Sequence, residues 1–288
     1  MRGLWRSQPS MPPPRRGSFA CVQVSSLGFK TDLALRRLGG SEIADRDEYI
    51  VVRTPANPDY RWGNFVLLPG PVRARDAERL MEIFAAEFPD VEHQAFGVDG
   101  TAGRVGDHDT VKDLGLDIEI NAVLTAHRLH EPARLGASGA VVRRLLADED
   151  WEQAVALRLA VYELAWKPGQ REFTARQFGE VRGCCERGDG AWFGAFVDGR
   201  VVASLGLLRA WSGTARYQNV ETHADHRRQG FASRLLYESS VWARDALGVD
   251  TVVIVADPAY HAIDVYRSLG FEEIERQVQL ERPPDSAQ

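Results

Sequence analysis

The sequence predicts an α/β protein, a mixed central sheet with helices on both faces, built as two tandem copies. Three observations predict it. From Tyr49 onward, short β-type runs alternate with amphipathic stretches. The second half reads in the order βααβββαβαβ, which suits a mixed sheet covered on both sides. The chain also matches itself at a shift of 155 residues: Arg79-Leu80-Met81 falls on Arg234-Leu235-Leu236, and Leu114-Gly115-Leu116 on Leu269-Gly270-Phe271. A length of 288 residues accommodates two cores of ordinary size.

Taken in order, residues 1–26 hold four prolines and four arginines and no acid, a composition that predicts a disordered tail. The Arg15-Arg16 pair lacks the apolar region and cleavage site of an export signal. Tyr49–Arg53 and Asn64–Leu68 read as strands, and Ala77–Phe88 as a helix with Leu80, Ile83, Phe84 and Phe88 on one side. Pro, Gly and Ser break the pattern at Glu131–Gly139, which sets the expected boundary between a first domain at 27–136 and a second at 137–288. Ala140–Leu145 is then a strand. The acidic run Asp148–Asp150 opens a helix carrying Trp151, Val155, Leu159 and Tyr162. Thr174–Arg187 is a second helix, and Ala191–Val197 and Val201–Ala210 are strands joined by an Asp198-Gly199 hairpin turn. Arg216–Thr222, Thr251–Ala256 and Ile274–Leu280 are the remaining strands, and Phe231–Leu247 and His261–Leu269 the remaining helices.

Composition narrows the function. With 35 basic and 41 acidic residues the net charge is −6, so nucleic acid is not an expected partner and any anion site must be built locally. The longest uncharged stretch is Gly17–Phe29, polar and too short for a membrane span. Three cysteines, Cys21, Cys184 and Cys185, form neither a disulfide framework nor a zinc pattern, which points to a reducing compartment and cytoplasmic localisation. The His127/His130 and His223/His226 pairs lack the further ligands of a metal site, and no metal is expected. Gly100, Gly103 and Gly106 are spaced wrongly for a dinucleotide fingerprint and read as a loop. Trp166–Gly169 reads equally as an interhelical turn or as part of a binding pocket.

The most informative segment runs from Val220, Glu221 and Thr222 through His223–His226 to Arg227, Arg228, Gln229, Gly230, Phe231, Ala232 and Ser233. A strand passes through a basic loop into a helix, whose first N–H groups lack partners and whose dipole favours an anion. Gly230 is expected to let the main chain approach a phosphate with no Cβ in the way.

This segment resembles the pyrophosphate loop of the GNAT family of N-acetyltransferases, Arg/Gln-x-x-Gly-x-Gly/Ala, with Arg227, Gly230 and Ala232 at the matching positions. Tyr266, followed by Leu269-Gly270-Phe271, resembles the family's second signature; Ala259 stands where an Asn is often found. The resemblance covers about residues 140–282. It implies the acyl-CoA N-acyltransferase fold, acetyl-CoA as donor on the amides of Arg228–Ser233, the pantetheine arm beside Val220–Thr222, and transfer to a primary amine of a small molecule or peptide by direct attack. It also implies Tyr266 as the acid at the departing thiolate, since phenol and thiol lie near pKa 10 and 8.5. Glu221 is the nearest carboxylate for a general base, although strand alternation aims it away from Arg216 and Gln218, with a water relay as the rival. The alternative function is a non-catalytic acyl-CoA sensor or partner subunit. In the 155-residue register Gly230 falls on Arg75, Arg227 on Val72 and Tyr266 on Val111, so the first half reads as a degenerate copy that has lost the site, with Arg75 blocking the cradle.

Overall fold

The computed structural model describes residues 22–134, Gly136 and residues 139–283. The expected tail lies outside the described residues for 1–21. Residues 22–26 are not tail. Val22 N–H donates to Asp45, and the N–H groups of Ser25 and Ser26 donate to Asp99. Ser26 is fully buried and caps helix α1 (Leu27–Leu38), its hydroxyl accepting from Phe29 N–H. Composition missed this helix because its start is uncharged. The signals present are Ser26, Arg36 and Arg37 in the last turn, and the Gly39-Gly40 stop.

The first half continues through strands β1 (Glu42–Asp45), β2 (Ile50–Arg53) and β3 (Phe65–Leu68), helix α2 (Ala77–Glu87), β4 (Gln94–Val98), helix α3 (His108–Asp113) and β5 (Asp117–Ala126). The second half holds β6 (Val141–Arg144), α4 (Asp148–Val161), α5 (Gln170–Glu186), β7 (Gly190–Val197), β8 (Arg200–Trp211), β9 (Thr214–Thr222), α6 (Phe231–Leu247), β10 (Thr251–Ala256), α7 (Ala262–Ser268) and β11 (Glu272–Arg282). Local chemistry explains the sharpest boundaries. Asp198 (φ 49°) and Gly199 (φ 77°) make the two-residue turn that pairs Val197 with Arg200. At the start of α4, Asp150 accepts from the N–H groups of Leu146 and Ala147 and from Arg143 at 2.6 and 2.7 Å; the Arg143 bond first, and then these amides, lower its pKa to about 2. Left-handed Gly230 and Gly248 bracket α6.

The repeat is visible in the elements. Shifted by 155 residues, α2 falls on α6, β4 on β10, α3 on α7 and β5 on β11, and in each half the first of two diverging strands is parallel to the second, β3 to β4 and β9 to β10. The eleven strands among the described residues form one sheet in the order β1-β2-β3-β4-β11-β5-β10-β9-β8-β7-β6. The two last strands are exchanged. β11 pairs with β4 of the first half, β5 pairs with β10 of the second, and β5 and β11 pair with each other from Glu272↔Thr125 to Glu281↔Asp117. The side chains follow the strands: Val278 and Leu280 pack with Val51, Phe84 and Phe96, whereas Ala122 and Leu124 pack with Leu205, Leu235 and Ile254. The 136/137 boundary therefore divides the chain but not the sheet. Helices α6 and α7 cover one face of the second half, and α1, α4 and α5 the other.

Because each half is completed by a strand of the other, residues 22–136 and 139–283 expressed separately are expected to give no cooperative unfolding transition. Expressed together they are expected to co-purify and to recover one. Denaturation of each preparation followed by circular dichroism checks this.

Candidate functional site

Strands β9 and β10 pair in parallel only from Thr214↔Thr251 to Arg216↔Val253; beyond that they part, and the edge of β9 that faces β10 loses its neighbour. Between the parted strands and the start of α6 lies a cleft of about 530 Å³. It brings together nearly every residue that sequence reasoning singled out: Val220, Glu221 and Thr222 on β9, Arg227, Arg228 and Gly230 in the loop, Phe231, Ala232 and Ser233 in the first turn of α6, and Tyr266 on α7. Gln229 sits in the same loop, its side chain donating to Asp225 O at 3.1 Å. Sequence reasoning missed Asp257, Tyr260 and His261, which line the cleft from the loop between β10 and α7. Lying outside any regular element, they carry no periodic signal.

The cradle has the expected donors. Among the described residues, the N–H groups of Phe231, Ala232 and Ser233 reach no acceptor, and the first bond of the helix is Arg234 N–H to Gly230 O. The loop that presents them is bent by two left-handed residues, Arg228 (φ 60°) and Gly230 (φ 96°). The reason for the glycine differs from the expectation. A Cβ at Gly230 would lie 2.6 Å from the carbonyl oxygen of Arg134, in the segment joining the halves, so the missing side chain makes room for that segment as well as for the left-handed turn.

Tyr266 is 6% exposed, its ring edge-on to Phe271 at 6.1 Å. Burial first, and then the neighbouring phenols of Tyr260 and Tyr162, push its pKa above the usual tyrosine value, so it stays a proton donor at neutral pH.

Glu221 requires a correction. Asn219 adopts a left-handed conformation (φ 49°), and the register with β8 moves two residues from Ser204 to Gly206 but three from Glu221 to Gln218. This bulge reverses the alternation, so Glu221 shares a face with Gln218 and Arg216, and Val220 turns to the α6 side. There Glu221 is 3% exposed and accepts from Arg158 Nε at 2.8 Å. Burial raises its pKa, and Arg158 opposes that rise. With its amide oxygen turned toward α4, Asn219 accepts from the same guanidinium at 2.5 and 3.1 Å, and the guanidinium lies 4.5 Å over the Phe178 ring. The carboxylate nearest in sequence is therefore committed to a cation that also ties down the bulge.

The corresponding loops of the first half border a smaller cavity of about 220 Å³, lined by Pro71 and residues 98–102, which includes none of the counterparts of the cradle. There Val72 N–H donates to Val105 O and Asp107 N–H to Val72 O, a bridge that draws the two loops together. Val72, Val105 and Gly106 stand 155 residues before Arg227, Tyr260 and His261, which line the cleft of the second half. Val72, Val105 and Val111 are all buried in one core. Arg75 blocks nothing: its side chain is 75% exposed beside Asp76, and the backbone bridge closes the site instead.

Trp166 lies in the turn between α4 and α5, 76% exposed, and does not line the cleft. Among the described residues no three metal-ligating side chains come together, and no helix is long and apolar enough to cross a membrane. Arg158→Met leaves the Glu221 carboxylate buried without its cation and is expected to cost about 3–5 kcal/mol of stability. The double change with Glu221→Leu is expected to recover most of it, as read by urea denaturation.

Comparison with known proteins agrees with this architecture. The acetyltransferase (GNAT) family matches residues 158–271. No curated protein sequence matches the chain. Among solved structures, a functionally unknown conserved protein from Staphylococcus epidermidis is similar at TM-score 0.67 and 13% identity, over 85% of this chain and 95% of that one. A GCN5-related N-acetyltransferase from Kribbella flavida is similar at TM-score 0.60 and 20% identity, over 90% and 97%. A tandem GNAT protein from the clavulanic acid biosynthesis pathway is similar at 0.52 and 16%, over 88% and 89%. Residues 158–271 thus match the acetyltransferase (GNAT) family, and the fold that carries them is similar to that of solved acetyltransferase structures, one of them a tandem GNAT protein.

Proposed function

We propose that the protein transfers an acetyl group from acetyl-CoA to a primary amine of a small molecule or peptide, using only the cleft of the second half. The observation that carries this reading is that one cleft joins the free amides at the start of α6 to the protonated phenol of Tyr266. The match of residues 158–271 to the acetyltransferase (GNAT) family supports it. In this reading the cradle amides from Arg228 to Ser233, with Arg227 beside them, hold the pyrophosphate of the donor. The unpaired edge of β9 at Val220–Thr222 lies along the pantetheine arm and offers a backbone N–H to the thioester carbonyl, whose oxygen gains charge as the amine adds.

The reaction needs no protein nucleophile. The amine nitrogen bonds to the acetyl carbon, the carbon–sulfur bond breaks, and the sulfur takes the proton that Tyr266 gives. Tyr266 regains a proton by way of solvent, and the nitrogen gives one up, so the proton count balances. Glu221 holds Arg158 and the β9 bulge rather than the proton of the amine, which leaves the base to another group or to water.

Calorimetric titration with acetyl-CoA is expected to give one site per chain, lost when Ala232→Glu places a carboxylate in the cradle and unaffected by Arg75→Ala. A second site of similar affinity would show that the bridged first-half cleft opens. Turnover, followed as free thiol against a panel of amines, separates an enzyme from a sensor that binds the donor without consuming it.

Tyr266→Phe is expected to keep donor affinity and to lower kcat by about a hundredfold or more. Because the folded pKa is raised, the acid is present below that value and lost above it. The alkaline limb of the wild-type pH–rate profile is therefore expected above pH ~10, the ordinary tyrosine pKa. A tyrosine-dependent limb near neutrality would refute the assignment.

A further inference from the structure

We propose that the acceptor is a small amine carrying a carboxylate, held as a zwitterion in a second cavity that both halves build. The proposal rests on the acetyl-transfer reading and names its substrate class. The cavity, of about 260 Å³, opens on the α1 side of the parted strands β9 and β10. Its walls come from both halves: Asp32 and Arg36 on α1, Tyr60 and Asn121 from the rest of the first half, and Gln218 and Asp257 from the second. Asp257 also lines the larger cleft, so the two cavities share a wall at the end of β10.

The lining is polar, and its charges are only half matched. Arg216 is neutralised by Asp32 at 2.9 Å, and Gln277 holds the other oxygen of Asp32 at 2.8 Å. Two charges then stand outside any ion pair among the described residues. Asp257 accepts only the N–H of Ala259, at 2.8 Å, and no cation forms an ion pair with it among the described residues. Arg36 lies 4.9 Å over the Tyr60 ring, and no carboxylate forms an ion pair with it among the described residues; Glu180 and Asp32 act on it from beyond ion-pair distance. Asp257 borders the acetyl-transfer cleft and Arg36 does not.

A zwitterion satisfies both charges in one orientation. An ammonium at Asp257 places the reacting nitrogen at the wall shared with the cleft, where the carboxylate can accept its proton before attack. A carboxylate at Arg36 takes the guanidinium's paired donors. A diamine would instead set a second cation against Arg36, and an alkylamine would leave that guanidinium unpaired.

The test follows thiol release from a fixed concentration of acetyl-CoA with glycine, β-alanine and 4-aminobutyrate, each against the alkylamine of the same chain length, and with putrescine. One of the amino acids is expected to exceed its alkylamine in kcat/KM by about tenfold or more. Arg36→Gln is expected to remove that advantage through KM, Arg36→Lys to restore part of it, and titration with acetyl-CoA to show an intact donor site in both. Asp257→Asn is expected to lower kcat/KM for every amine. Equal rates for amino acids and alkylamines, a preference for putrescine, or discrimination unchanged in Arg36→Gln would overturn the zwitterion and leave acetyl transfer standing. No thiol release with any amine would remove both readings together.

Discussion

The exchange of β5 and β11 is the constraint on which the rest of this structure depends. Each half lacks the last strand of its own sheet and receives the other's, so the four central strands β4-β11-β5-β10 belong alternately to the two copies. A sheet interior is where unpaired backbone groups are least tolerable. Neither half can close its hydrogen-bond ladder alone, and the apolar residues of each exchanged strand fill the other's core. This locks the orientation of the halves and brings α1 and Tyr60 of the first against β9 of the second, forming a cavity wall that one copy would not possess.

Within that frame the two copies diverge by a few backbone bonds. The second half keeps β9 and β10 apart beyond Arg216, leaving an open wedge with free amides at its rim. The first half closes the same wedge by pairing Val72 with the backbone of Val105–Asp107, and a Cβ at Gly106 would run into the Val72 backbone. Once closed, the wedge fills with valines and becomes core. A degenerate copy is thus more than a site without its residues. Its counterpart of the cradle loop is bridged, and it supplies the strand that completes its partner.

The charges around the wedge fall into two groups. Arg158 with Glu221, and Arg216 with Asp32, are buried pairs whose removal one partner at a time would strand a charge. Both anchor β9, one to α4 and one to α1, on either side of the bulge at Asn219. Their fixed geometry holds the strand edge in place. The groups left over, Asp257, Arg36 and the phenol of Tyr266, face open volume and are available to ligands.

The sequence by itself determined the elements whose ends carry local chemistry. Phe231–Leu247 and Thr251–Ala256 stand at the bounds their pattern predicts, because Gly230 and Gly248 stop the helix in conformations other residues resist. The cradle and Tyr266 were legible through their resemblance to two family signatures, each contained within one loop or one short helix. What only the tertiary structure decided are the features set by partners distant in sequence. The pattern at Ile274–Leu280 predicted a strand but not its neighbours, and Asp117–Ala126 was not read as a strand at all, so the exchange was invisible. A single bulge residue, Asn219, turned Glu221 to the other face and into the reach of Arg158, 63 positions away. The second cavity draws on α1, whose uncharged start concealed it, and on Asp257 in a loop. The physical reason is the same in each case. Local backbone preference acts over a few residues, whereas pairing, burial and charge compensation depend on which segments the folded chain brings together.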